Sequence, residues 1–367
     1  MTNKRLLSFL TVCLALAALS GSLLAQTPDV QNKRIGTAAA PELLIPVGAR
    51  DLAMGGSSIG TTSGIDALHY NPAGLGRLTG AAEGTVSHMS YIADINVNYG
   101  AVGINFGGFG TVGLSIKALD FGEIPMTTTD DPEGVAGRTF NPSFVTLGFS
   151  YARAFTDAIT AGGTVKLISE NLHRVSGKGI AMDFGVQYRG VAGFNGVNLG
   201  VALKNVGPQV SFDGPGLLRL ADVADGLRPT QYYSSEAASW ELPTSVEIGF
   251  AYENKFAENV SYSLNTTYAN NNLALDGYRF GGELGYSMEN LKLAGRAGYE
   301  LSDKGPTDEQ IFGPTLGFGL TYITEGLDIT VDYAYRSVDL FNSNNVFSLK
   351  LGSSASKLNT VHLAFCS

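Results

Sequence analysis

The sequence predicts an all-β fold: a transmembrane outer-membrane β-barrel of about 14 antiparallel strands behind an N-terminal plug or hatch segment. Three observations predict it. Polar and apolar residues alternate with period two almost to the end of the chain. In the stretch from Leu327 to Tyr335, Leu327, Ile329, Val331, Tyr333 and Tyr335 share one face, and Asp328, Thr330, Asp332 and Ala334 share the other. Such a strand is apolar on one side and polar on the other. No helical period interrupts these segments, and nothing after the first 25 residues is long and apolar enough to span a bilayer as a helix. The chain also opens with an export leader.

The leader comes first. Lys4 and Arg5 precede the apolar run Leu6 to Leu19, then Ser20, Gly21, Ser22 and Ala25 supply small residues for cleavage. This is the layout of a secretory signal peptide over residues 1–25. Its removal takes away two cations and no acid, so the net charge falls from −9 to −11. A chain that acidic is not expected to bind nucleic acid. The mature chain keeps only Cys366, so no internal disulfide is expected.

Residues 26–81 follow. They hold Pro28, Pro41, Pro46 and Pro72, many small residues and no sustained alternation. Arg50 to Ala53 reads as a short helix stopped by Met54-Gly55-Gly56. The segment is too small to fold alone and reads as the plug.

Residues 82–351 read as the barrel. The expected strands are Ala82–Tyr91, Ile95–Phe106, Gly110–Leu119, Pro142–Phe155, Ile159–Asn171, Lys178–Arg189 and Val197–Lys204. The second half continues with Pro243–Phe256, Val260–Ala269, Gly277–Met288, Leu291–Leu301, Thr315–Tyr322, Leu327–Tyr335 and Asn345–Leu351. Connections alternate between short turns and a set that includes every long loop, as in outer-membrane barrels. Tyr151, Phe155, Tyr188, Tyr252, Phe256, Tyr286, Tyr299 and Tyr322 fall near strand ends, where aromatic girdles belong. A soluble β-sandwich also alternates, but the polar second face and the unbroken run of strands favour the membrane barrel. The 47 glycines are assigned to curved strands and their ends. Eight strands are filled by their own side chains, whereas sixteen leave a channel. A barrel of about fourteen therefore needs a filler, and the plug supplies it. Residues 352–367 read as a C-terminal tail rich in Ser and Ala.

No catalytic constellation emerges, and the chain is expected to be non-enzymatic. Gly108 to Gly113 fits the dinucleotide pattern, but a strand follows where a phosphate-holding helix is required. Gly56-Ser57-Ser58-Ile59-Gly60 fits a nucleophile elbow but has no partnered histidine. His69, His88, His173 and His362 never cluster, so no metal or cofactor site is expected. Asn71-Pro72-Ala73-Gly74 is a turn motif: Asn before Pro favours extended geometry, and Gly74 is expected to adopt a conformation the others cannot.

The run Leu43 to Arg50, then Met54-Gly55-Gly56, then Tyr70-Asn71-Pro72-Ala73-Gly74 resembles the start of the PorV/PorQ family within the wider FadL-like group of outer-membrane barrels. Asp332-Tyr333-Ala334-Tyr335 and Phe341-Asn342-Ser343-Asn344 extend the resemblance to the barrel's end. It implies a 14-stranded barrel with a periplasmic N-terminus inside or beneath it. Relatives of the PorV type work in type IX secretion, taking cargo by its C-terminal domain from the translocon to surface attachment. The FadL branch instead moves hydrophobic molecules. The C-terminus departs from the usual pattern, since Phe365 is not terminal.

Two functions compete. The first is a secretion accessory that binds cargo through the loop Asn205–Leu242, whose Phe212, Leu217, Leu218, Leu220, Tyr232, Tyr233 and Trp240 are more apolar than solubility requires. The second is a transporter of hydrophobic small molecules with an apolar pocket between plug and wall near Leu43–Val47 and Leu68–Leu75. Asp328, Asp332, Glu283, Arg279 and Arg296 are expected to face a wet lumen. Outer-membrane lipid is the expected surroundings in either case.

Overall fold

The computed structural model describes residues 36–135, 137–221, 230–302 and 310–353. Among them, 14 antiparallel strands close into a barrel. They are β1 (Ala82–Ser90), β2 (Asn96–Asn105), β3 (Thr111–Asp120), β4 (Ser143–Ala154), β5 (Ile159–Leu172), β6 (Val175–Arg189) and β7 (Val197–Val206). The circle continues with β8 (Ser245–Ala257), β9 (Val260–Asn271), β10 (Gly277–Ser287), β11 (Leu291–Ser302), β12 (Phe312–Ile323), β13 (Leu327–Val338) and β14 (Asn344–Ser353). Each strand pairs with its sequence neighbours, and β1 pairs with β14 to close the ring. Closure leaves no free edge, the condition for crossing a bilayer with strands.

Every expected strand is present. The last one runs two residues beyond Leu351: Gly352 pairs with Glu83 and Asp328, and Ser353 with Leu327. The tail therefore cannot begin at 352. The leader and residues 354–367 lie outside the described residues. β6 begins at Val175 rather than Lys178, because only His173 and Arg174 separate it from β5. His173 adopts a left-handed φ of 52° in that tight turn.

The outer wall is apolar. Leu147, Phe149, Phe184, Phe250, Leu284, Phe318 and Phe347 are exposed there, as lipid-facing residues must be. Of the expected aromatics at strand ends, Tyr151, Phe155, Phe256, Tyr286, Tyr299 and Tyr322 are exposed, and Tyr188 and Tyr252 are half-buried.

Residues 36–81 lie inside the ring. They form a 3-10 turn (Pro41–Leu44), helix α1 (Ala49–Ala53), helix α2 (Ala67–Tyr70) and a second 3-10 stretch (Pro72–Arg77). The inward residues of the wall explain how they fit. Gly103, Gly113, Gly162, Gly185, Gly200, Gly249, Gly281, Gly298 and Gly317 all meet the plug. Several are register partners across neighbouring strands: Gly103 with Gly113, Gly162 with Gly185, Gly200 with Gly249, and Gly281 with Gly298. Together with Ala152 and Ala334 they make a belt of small residues around the lumen. A Cβ on Gly298 would overlap the Met54 backbone, and one on Gly200 would overlap the Ile59 carbonyl. The expected role of glycine in strand curvature is therefore incomplete, because much of it clears space for plug backbone.

Candidate functional site

The lumen is two-sided. Across β8–β14 it is charged. Arg296 Nε lies 2.5 Å from Glu283 Oε2 and its Nη1 lies 2.6 Å from Asp332 Oδ1. Arg50 of α1 reaches the same Glu283 at 3.4 Å. Arg279 bridges Glu300 at 2.9 Å and Glu247 at 3.4 Å, and Lys204 shares Glu247 at 3.2 Å. The inward placement of Asp332, Glu283, Arg279 and Arg296 agrees with the sequence reading.

On the β14–β4 side the lumen carries an apolar strip as well as Lys117 and Lys350. Met89, Val97, Tyr99, Ala101 and Leu119 point inward and pack with Val47, Ile65, Leu68, Leu75 and Leu78 of the plug. At the loop end Tyr91, Ile95, Phe121 and Phe144 join them. Phe121 and Phe144 meet edge to face with centroids 4.8 Å apart. A smaller apolar cluster joins Ala39, Ala40 and Leu43 to Ile168, Ala181, Val210 and Leu242. The plug segments expected to border a hydrophobic pocket, Leu43–Val47 and Leu68–Leu75, thus supply residues to both clusters.

Wall side chains also satisfy the plug's irregular backbone, which protein must do at membrane depth. Thr315 Oγ1 donates to Ala53 O at 3.0 Å and Thr267 Oγ1 to Ser57 O at 2.8 Å. Gln187 Nε2 donates to Ile59 O at 3.0 Å and Thr62 O at 2.9 Å. Lys117 Nζ donates to Glu42 O at 2.6 Å and Ile45 O at 2.5 Å. Lys350 Nζ pairs with Asp66 Oδ2 at 2.5 Å. Burial alone would raise the Asp66 carboxyl, but Lys350 and Arg50 outweigh it and hold it below its usual value. Burial first, then Lys117 and Lys204, hold His69 well below the usual imidazole range.

The motif Asn71-Pro72-Ala73-Gly74 lies at the turn end of the plug. Asn71 Oδ1 accepts from Ala73 N at 3.1 Å, capping the Pro72–Arg77 stretch. Its Nδ2 donates to Ile59 O at 2.9 Å and to Val186 O of the wall at 3.3 Å. Gly74 does not have the positive φ expected of it. Its missing Cβ leaves room for the Thr62 carbonyl oxygen and the Ala67 methyl. The elbow-like Ser58 hydroxyl donates to Asp51 Oδ1 inside the plug, and Gly107–Phe109 is a turn between β2 and β3.

The loop residues divide into two groups. Val210–Asp213 adds to the wall by pairing with Ser176 and Gly177, which sets half-buried Phe212 against Gly177. Leu218–Ala221 and Gln231–Ser234 form a separate hairpin. Leu218, Tyr233 and Trp240 are exposed, Tyr232 is 71% exposed, and Leu217 is half-buried. Residues 222–229 lie outside the described residues. Among the described residues, no group of three or more potential metal ligands occurs.

No protein-family model and no curated protein matches this chain. Solved structures match its fold. The CymD monoaromatic hydrocarbon channel aligns with a TM-score of 0.52 over 85% of this chain and 98% of its own, at 13% identity. The toluene transporter TbuX of Ralstonia pickettii gives a TM-score of 0.52 over 84% and 98%, at 15% identity. The toluene transporter TodX of Pseudomonas putida gives 0.52 over 84% and 97%, at 14% identity. These neighbours are FadL-family hydrocarbon transporters. The FadL-like barrel expected from the sequence is therefore the observed fold, and it fits an outer-membrane location. None of these three names is that of a PorV/PorQ protein. At such identities the likeness is one of fold, which does not by itself assign function.

Proposed function

We propose that this chain is a FadL-like outer-membrane channel for hydrophobic small molecules. The carrying observation is the apolar strip inside the barrel, from Tyr91, Phe121 and Phe144 at the loop end, past Val97, Tyr99 and Leu119, to Leu68 and Leu75 of the plug. The strip packs the plug against the wall, and the same apolar lining offers a hydrophobic solute a way to leave water. The fold neighbours, whose names describe hydrocarbon channels and toluene transporters, support the same reading.

The test is uptake of toluene and of a long-chain fatty acid into cells whose only such channel is this barrel. Uptake of either is expected, with loss in Leu119→Lys while the folded barrel still reaches the membrane. Wild-type uptake equal to that of cells lacking the barrel would remove the proposal.

A second reading has its own observation. The exposed hairpin bearing Leu218, Leu220, Tyr232 and Tyr233, with Trp240 nearby, suits a partner surface on a cargo-binding accessory of the type IX translocon. Purification from the native membrane in mild detergent separates the two. Translocon subunits or secreted proteins sharing a C-terminal domain would support the accessory, and bound hydrophobic molecules without protein partners would support the channel.

A further inference from the structure

The beginning of the described chain crosses the lumen at its loop end. Gly36 N donates to Leu273 O just after β9, and Ala39 N donates to Glu241 O before β8. The strap then reaches the opposite wall, where Lys117 of β3 holds the carbonyls of Glu42 and Ile45. Ala40 is bent into a left-handed conformation, φ 50°, to make this crossing, which a residue with a Cβ adopts only at a cost.

At the far side the Glu42 carboxyl faces the Glu170 carboxyl of β5. Both residues are 2% exposed. Among the described residues, neither Glu42 oxygen has a hydrogen-bond donor, nor does Glu170 Oε2. The Ala40 N–H faces Glu170. The cation facing Glu42 is Lys117 of β3, whose ammonium is committed to backbone carbonyls rather than to either carboxylate. Two ionised carboxylates facing each other without a cation between them repel, and a proton shared between them removes the repulsion.

We propose that Glu42 and Glu170 form a one-proton site that latches the N-terminal strap across the mouth of the lumen, and that loss of this proton releases the strap. The inference does not depend on what the barrel carries. Its direction follows from linkage. Burial, then Glu170, push the Glu42 carboxyl up from 4.5 to about 7. The docked strap therefore holds the proton where a released strap would have lost it. Docking is strongest at acid pH and weakens as pH rises from the free value of 4.5 through 7.

The test reads strap exposure in the full-length protein in detergent, with Cys13→Ser and Cys366→Ser as background. Leu43 is buried in the strap's apolar contact and Leu44 beside it is exposed. The labelling rate of Leu43→Cys by a water-soluble thiol reagent is divided by that of Leu44→Cys, which cancels thiol ionisation. The ratio is expected to rise at least about fivefold between pH 5 and pH 8.5, since a full unit of pKa shift already means tenfold in equilibrium. In Glu170→Gln, and separately in Glu42→Gln, it should stay low throughout, because the amide replaces the protonated partner. A ratio flat with pH in the parent, or an equal rise in both amide variants, would overturn the latch.

Discussion

The Asn71 side chain joins three pieces of chain that are distant in sequence: the turn it caps, the Ile59 carbonyl of the plug and the Val186 carbonyl of the wall. Asn71→Ala removes a cap worth about 1 kcal/mol. It also strips a donor from buried carbonyls, at about 1–3 kcal/mol for a group left unsatisfied. Gln187 keeps one bond to Ile59, so the lower end applies. A loss of about 2 kcal/mol in denaturant unfolding is expected, and an unchanged midpoint would show that the cap is dispensable. Gly74 carries a related lesson. Alanine there is expected to destabilise through collision with Thr62, without any backbone strain, since its φ is ordinary.

At the scale of elements, the plug and wall are fitted backbone to backbone. Gly298 and Gly295 lie on the same strand and separate the two roles of glycine. A Cβ on Gly298 meets Met54, whereas one on Gly295 meets nothing within 4 Å among the described residues. Gly298→Leu should cost about 1–3 kcal/mol as overpacking and loosen the plug, raising single-channel conductance in planar bilayers. Gly295→Leu should leave conductance at the parent level, and equal behaviour of the two variants would refute the belt. The charged side of the lumen makes a second prediction. Arg296→Met leaves Glu283 and Asp332 without their shared cation; breaking a buried pair costs about 3–5 kcal/mol. Adding Asp332→Asn should recover part of that loss in thermal unfolding, and strict additivity would mean the pair contributes little.

For the whole molecule, pH is expected to act on the plug with opposite signs at its two ends. Asp66 is held below its usual value of 3.8, so its pairing with Lys350 stabilises the plug above that pH and is lost as pH falls through the folded value. Glu42 acts the other way, with docking weakening between 4.5 and about 7. Amide exchange corrected for its intrinsic pH dependence should therefore show the strap opening on the alkaline side and the Asp66 region opening only in strong acid. Parallel behaviour of the two regions would contradict this. Much of the architecture was legible in the sequence. Alternation with period two marks strands directly, and short turns bound them to within a few residues, as at Thr156–Ala158 and Glu289–Asn290. The belt was harder to read. Its glycines occupy inward positions by parity, Gly281 beside Arg279 and Glu283 for instance, but the sequence does not reveal which neighbouring chain would need the space. The apolar strip was hidden for a similar reason: Val97, Tyr99 and Leu119 break the polar inner face only once the inner face is known. Glu42 and Glu170 lie 128 positions apart, and nothing local to either announces the other.

The seam of the barrel and the end of the plug share their atoms. Ser353 Oγ, on the final strand, accepts from Ala81 N at 2.7 Å and Ala82 N at 3.0 Å, where plug becomes wall. Gly80 lies so close to Ser353 that no side chain fits between them. The plug is the first part of the described fold in chain order and β14 is the last. The junction of plug and wall is therefore also the point at which the ring closes. A displacement of the plug's last residues therefore strains the same bonds that hold the first and last strands together.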